Sequence, residues 1–482
     1  MDNLALQQAG YHNIKSILKF PNNEIKTLEV LRFLPHKRVV FKALWHDKEV
    51  VIKLFFHKDR KKRNAQFQKE VDTIKFLTNL KLPVPELLDY KKVYYRDYSY
   101  VVTKFIEPSS KKLIDISEFF KAIVALHNYG IYQEDIHLNN FINHDGIIHY
   151  LDAMEINLKY HHQKLPIKIA LDNLALFISQ FSVEEQSMHL AKLNEYFDNI
   201  NFLDNAEVKS NLSKYKKYIY NKSQKFFSKR IHDYSQKVFR DCSDFISCEK
   251  VYASKEKITG VFNRNEYYKD QEFLSAFIAN QEKVKNNTLK YFKKGNTAEV
   301  FLLESDNQKY VVKYYKVKNL FHSIRNSIQK TRAKKSWLQA NLCNFLGINT
   351  AKPIGFFEIK KFGIFRGAYF ITKYNENFDN LNGLLESNAK LKNKVIADEI
   401  VSNLHSLKIN KIYHGDFKAN NMLTSPDKKG QGIILIDLEQ MQKVENAKYF
   451  NYLHNKDRAR LLRSLEHYKD LHNLVTQKLK VK

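Results

Sequence analysis

The residues of this chain that could do chemistry fall into two sets with one spacing. In the later half, His414-Gly415-Asp416-Phe417-Lys418-Ala419-Asn420-Asn421 precedes Ile433-Ile434-Leu435-Ile436-Asp437-Leu438-Glu439. In the earlier half, Gln133-Glu134-Asp135-Ile136-His137-Leu138-Asn139-Asn140 precedes Ile147-Ile148-His149-Tyr150-Leu151-Asp152. Each set puts an Asp five residues before an Asn, then a second Asp at the end of a β-rich run. Phosphoryl transfer asks for such groups: a carboxylate to orient the acceptor hydroxyl, and hard oxygen donors for magnesium on the phosphates. The expected bases are Asp416 and Asp135, with Lys418 beside the migrating phosphoryl group and His137 in the matching earlier place. Asn421, Asp437, Asn140 and Asp152 are the expected magnesium ligands, and ATP with Mg the expected cofactors. A single copy would also read as an Asx-turn followed by a strand-ending Asp. Two copies with β-runs at matching places argue against that reading.

Upstream of each set stands one lysine in a β-branched strand, Val51-Ile52-Lys53 and Val311-Val312-Lys313. A buried ammonium needs an anionic partner, which the α- and β-phosphates of ATP would supply. Glu70, on the helix that follows, is expected to pin Lys53. From Tyr314 to Ala340 there is no acidic residue, so Lys313 is expected either to be held differently or to position nucleotide poorly. Gly295, in Lys293-Lys294-Gly295-Asn296-Thr297-Ala298, allows a tight turn that offers backbone N–H groups to phosphate. The earlier half has Pro35-His36-Lys37-Arg38 there and no glycine.

The elements that must position these groups recur in the same order. Strands are expected at 39–45 and 50–55, a helix at 59–80, a strand at 101–107 and a helix at 116–129. The later half repeats this with strands at 298–304, 310–315, 353–357 and 368–373, a long basic helix at 320–346 and a helix at 391–407. Residues 174–285 read as mostly helical and basic. Between Lys209 and Arg240 ten residues are Lys or Arg and only Asp233 is acidic. That run reads as one solvated helix face with apolar residues packed inward, the alternative being a docking surface for phosphates.

The chain has 482 residues, 44% of them hydrophobic, enough for two packed cores. Its formal charge of +28 points to anionic partners (nucleotides, phosphorylated lipids, an acidic membrane face or RNA) without choosing among them. Cys242, Cys248 and Cys343 form no metal-ligand spacing and read as reduced thiols. The first residues lack a charged region followed by an apolar run, and no stretch approaches the roughly 18 apolar residues of a membrane span. A cytoplasmic protein is expected, one that can lie against the membrane from that side.

The later half resembles the lipopolysaccharide core kinases, the Kdo and heptose kinase family with its kinase-like fold. The similar segments are His414-Gly415-Asp416 with Asn421, Leu435-Ile436-Asp437-Leu438-Glu439-Gln440-Met441, and Lys456-Asp457-Arg458-Ala459-Arg460-Leu461-Leu462-Arg463-Ser464-Leu465. Arg332-Ala333-Lys334-Lys335-Ser336-Trp337 resembles the family's basic helix, which typically carries Glu where Ser336 stands. Fainter likenesses lie at Asp172-Asn173-Leu174-Ala175-Leu176-Phe177, Arg230-Ile231-His232 and Arg240-Asp241-Cys242-Ser243-Asp244-Phe245. The resemblance implies ATP-dependent phosphorylation of a sugar hydroxyl on an anionic glycolipid, inner-core lipopolysaccharide, at the cytoplasmic face of the inner membrane.

The expected fold is therefore α+β: two tandem protein-kinase-like domains, each with a small β-rich N-lobe and a mainly helical C-lobe. The expected division is residues 1–250, a helical connector at 251–285, and residues 286–482. Only 45 residues follow Asp437, so the second helical lobe is expected to be minimal. Two other readings stay open: a small atypical kinase associated with RNA or protein, and a tandem in which one domain binds without turnover. The earlier domain has the full complement of Lys53, Glu70, Asp135, Asn140 and Asp152, whereas the later one has the better loop.

Overall fold

A computed structural model describes residues 17–481, except 21–22, 35–36, 57–59, 94–97, 110–114, 253–254, 286–287, 318–326, 328, 388–391 and 426–431. The chain divides into two compact units, Met1–His232 and Asp233–Lys482.

In the first unit, six antiparallel strands stand in the order Ile17–Phe20, Asn23–Leu34, Arg38–Trp45, Lys48–Phe56, Tyr98–Lys104, Leu87–Val93. The apolar alternation of Arg38–Trp45 and Lys48–Phe56 sends Val39, Phe41, Ala43, Val50, Ile52 and Leu54 into one buried cluster. The helix Arg60–Asn79 covers the opposite face, packing Phe67, Val71 and Ile74 against Phe55, Val101 and Ala153. A helical part follows, in which Ile116–Asn128, Ile167–Ile178 and the long helix Asn205–Lys237 share a core. The long helix buries Val208, Tyr215, Ile219, Ser223, Phe227 and Ile231. These lie four or seven apart, on one stripe, so its lysines form the solvated face that the charge run implies. The strand expected at 101–107 ends at Lys104.

In the second unit, seven strands stand in the order Phe245–Val251, Glu256–Asn263, Pro353–Lys361, Ile364–Lys373, Lys309–Lys316, Ala298–Glu304, Thr288–Lys294. Residues 251–285 are more than the helical connector expected. Glu256–Asn263 pairs along its length with Pro353–Lys361, and the helix Gln271–Ala279 buries Leu274, Phe277 and Ile278 against the sheet. The reason is a sheet that is apolar on both sides. Phe357 and Tyr369 face this helix, whereas Phe356 and Ala368 face the helix Arg332–Phe345. A period of two then leaves a face that something must cover.

The basic helix expected from residue 320 begins at Arg332, where the Thr331 hydroxyl accepts the Lys334 N–H as an N-cap at 3.2 Å. Residues 320–326 and 328 of that expectation lie outside the described residues. The helix Asn393–Ile409 and the two C-terminal helices, Ala447–Leu465 and Lys469–Val481, complete this unit. No helix among the described residues is long and apolar enough to cross a membrane.

Candidate active sites

In the second unit, Lys313 lies on an inner strand, between Val300 and Phe370 in register. Its Nζ stands 2.5 Å from Asp437 Oδ1 and 3.1 Å from Glu439 Oε2. Burial alone would lower this ammonium's pKa, yet Tyr315, Asp437 and Glu439 around it raise it above the ordinary lysine value. Lys313 therefore stays charged in its half-closed site. Asp437 sits in the left-handed region, φ 61°, at the start of the short turn Leu438–Gln440. That turn carries Glu439 back toward the same lysine.

The helix acid missing from 314–340 is thus replaced from another part of the chain. The helix Arg332–Phe345 contributes the opposite charge: Arg332 forms an ion pair with Glu439 Oε1, while its Nη1 lies 3.4 Å from Thr297 Oγ1. Ser336, where the resembled family carries Glu, instead hydrogen-bonds Tyr315 at 2.9 Å in the core. The absence of a helix acid therefore leaves Lys313 anchored, through Glu439. The sequence signal was present in Asp437-Leu438-Glu439, since an αL residue followed by a tight turn folds the second acid beside the first.

The loop before it is braced from the helix Ala447–Leu465. Buried Asp457 accepts the backbone N–H groups of His414 at 2.8 Å and Gly415 at 3.3 Å. Arg460 bonds the Gly415 carbonyl at 2.6 Å and stands 3.7 Å from Asp416. Burial lowers the His414 pKa to about 4, so at neutral pH the ring is neutral and its Nδ1 accepts the Asp416 N–H at 3.3 Å. Gly415 has φ +88°, and a Cβ there would meet the Gln440 side chain at 2.7 Å. The glycine is required on both counts. Asn421 Nδ2 donates at 2.8 Å to both the Asp416 carbonyl and its carboxylate, and Lys418 Nζ lies 2.9 Å from the same carboxylate. Gly295 makes a turn, but its N–H is committed to the Ala298 carbonyl at 3.0 Å and is not offered outward as expected.

In the first unit the expected groups also come together. Lys53, in register with Val40 and Val101, forms an ion pair with Glu70 Oε1 and lies 3.3 Å from Asp152 Oδ1. The other Glu70 oxygen accepts the Met154 N–H at 2.8 Å. Asn140 Nδ2 donates to the Asp135 carbonyl at 2.7 Å. In place of the Asp457 brace, Asn173 donates to the Gln133 carbonyl at 2.7 Å.

Two features separate this cleft from the other. The Asp135 side chain is 70% exposed, against 24% for Asp416, and the group that stands 3.8 Å from it is the His137 ring, whose pKa burial lowers, where Asp416 has the Lys418 ammonium. Arg38, which the sequence reading left without a role, is buried with its Nη1 3.2 Å from Asp152 Oδ1 and 3.0 Å from the Met154 sulfur. Arg32 approaches Asp152 Oδ2 at 3.9 Å. A signal for Arg38 existed: it lies two residues from Val40, which pairs with Lys53, so all three share a sheet face. A cavity of about 230 Å³ opens here, lined by Leu31, Val40, Val51, Thr103, Phe105 and Ile142 beside the charged groups.

Burial would raise the Asp152 carboxyl pKa, yet Lys53, Arg38 and Arg32 hold it at about 2, from 3.8 in a free side chain. A carboxyl depressed by folding stabilises the fold above its unfolded pKa and loses that contribution as pH falls through the folded one. Asp152 is therefore expected to contribute about 2 kcal/mol above pH 5, fading between pH 4 and 2. Acid unfolding followed by circular dichroism should show Arg38→Met with a smaller pH-dependent loss over that window. An unchanged acid profile would refute the coupling.

The donor sets differ in how they suit magnesium, which kinases use and which takes carboxylate, amide and phosphate oxygens. In the second unit Asn421 commits its nitrogen to Asp416 and keeps Oδ1, while Asp437 is a third exposed and meets a single lysine. That set fits the ion. In the first unit Asp152 is engaged by Arg38 and Lys53 on one oxygen and approached by Arg32 on the other. That set does not fit, because a dication would have to displace a buried guanidinium.

No curated protein matches the chain. One solved structure, described as WaaP in complex with acyl carrier protein, shares 17% identity over 38% of this chain and 73% of its own, with a TM-score of 0.29. Residues 278–479 match the model of the lipopolysaccharide kinase (Kdo/WaaP) family. The matched stretch holds Lys313, Arg332, Asp416, Asn421, Asp437, Glu439 and Asp457. Over residues 278–479, within its second unit, this chain is therefore similar to the lipopolysaccharide kinase (Kdo/WaaP) family, a family of kinases.

Proposed function

We propose that the second unit is an ATP-dependent kinase that phosphorylates a sugar hydroxyl of inner-core lipopolysaccharide, on Kdo or heptose. Both units are read as kinase-like domains in tandem. The observation that carries the reading is Lys313 meeting Asp437 at 2.5 Å, across 124 residues, beside the Asp416–Asn421 pair. Lys313 would hold the α- and β-phosphates of ATP, and Asn421 Oδ1 with Asp437 would hold magnesium. The ion would supply charge neutralisation on the phosphates. Asp416 orients the acceptor hydroxyl and takes its proton as that oxygen bonds to the γ-phosphorus and the bond to the β-phosphate oxygen breaks, releasing ADP. Lys418 stands beside Asp416, where it can offset charge on the transferred group. The net positive chain suits a polyanionic glycolipid, approached peripherally from the cytoplasmic side of the inner membrane.

A second reading applies to the first unit: it binds nucleotide without turning it over. The exposed Asp135 and the Arg38 guanidinium on Asp152 favour it. Mass analysis of core oligosaccharide from cells with and without this chain tests the main reading. Loss of one phosphate per core without the chain is the expected result; unchanged phosphate content would sink the sugar-kinase assignment.

A further inference from the structure

The strand registers of the two units align their clefts residue by residue. Val40 pairs with Lys53 and Val300 with Lys313, so Arg38 holds the place that Ala298 holds in the second unit. Arg32 pairs with Val40 as Lys293 pairs with Val300, so both clefts have a cation at the outer position. Only the first has one at the inner position. That cation is nine-tenths buried, ion-paired to Asp152, and shares the cavity wall with Lys53 and Arg32.

We propose that the first cleft binds a purine nucleoside triphosphate without a divalent cation, Arg38 taking the metal's place on Asp152 while Lys53 and Arg32 meet the phosphates. This rests on reading the first unit as a nucleotide-binding, kinase-like domain. Three cations face two carboxylates, Asp152 and Glu70, so the protein's own groups leave a positive surplus for an anion. In the second unit Lys313 and Arg332 are paired with Asp437 and Glu439, and Ala298 puts no cation at the inner position, which leaves the Asp437 carboxylate for an added ion. Guanidinium groups suit the first arrangement because they stay charged when buried and present several donors to phosphate oxygens. The apolar walls, Val40, Val51 and Ile142, suit a flat base.

Photolabelling of the full chain with 8-azidoadenosine triphosphate, in EDTA or in magnesium chloride, tests this when the labelled peptides are mapped. First-cleft peptides should label within about twofold in the two conditions, whereas second-cleft peptides should lose at least tenfold in EDTA. Arg38→Met, with folding checked by thermal melting, should lose tenfold of first-cleft labelling in EDTA and regain it with magnesium, because Asp152 is then free for the ion. First-cleft labelling that needs magnesium in the unaltered chain overturns the inference and leaves the nucleotide-domain reading standing. Absence of first-cleft labelling in both conditions, with the second cleft labelled, overturns that reading and the inference with it.

Discussion

Asp416→Asn is expected to lower phosphoryl transfer by about 10²–10⁴-fold, the range for removing a positioned general base. ATP binding should change little, since Asp416 is not among the groups around Lys313. Asn keeps the side-chain shape and can still accept from Asn421, so the loop should stay folded. Its N–H braces from Asp457 and its carbonyl bond to Asn421 are backbone features that the substitution leaves in place. Steady-state kinetics with ATP and isolated core oligosaccharide would read the split: kcat collapses while KM for ATP holds. The same substitution at Asp135 separates the two clefts. A comparable loss there, with Asp416→Asn nearly as active as the parent, would make the first unit the catalyst and overturn the assignment.

Glu439→Gln should cost roughly 10²-fold in kcat/KM, with most of the loss in nucleotide positioning. Glu439 is one carboxylate shared by two cations: Oε2 meets Lys313 at 3.1 Å and Oε1 meets Arg332. An amide in its place leaves Lys313 to lean on Asp437 alone, and that carboxylate is the one needed for the metal. It also frees Arg332, which already touches Thr297 in the loop before the strand Ala298–Glu304. A double-mutant cycle with Arg332→Ala gives the sharper test. Groups in one ionic network couple by about 0.5–3 kcal/mol, so Glu439→Gln should cost clearly less once Arg332 is gone. Additive losses, or a Glu439→Gln enzyme with unaltered KM for ATP, would show that this acid does not stand in for the helix glutamate.

These two expectations draw on different kinds of information. The Asp416–Asn421 pair is five residues apart, and its hydrogen bonds form inside one loop, so spacing suffices to expect them. The same holds for the strands around Lys53 and Lys313, where alternation of apolar residues sets which face is buried. The brace from Asp457 was visible only as part of a resembled segment, with no role attached. The seven-stranded sheet was hidden because Glu256–Asn263 gains its meaning from pairing with a strand about a hundred residues later.

By itself, then, the chain's sequence determined the strands that carry each lysine and the loop residues, and made an anionic partner the expectation. The tertiary structure decided how the charges are matched: Arg332 with Glu439 across 107 residues, and Arg38 with Asp152 across 114. Local spacing cannot decide such matches. A charge's cost and its choice of partner depend on how much water the surrounding chain removes, and burial is known only once distant segments have packed.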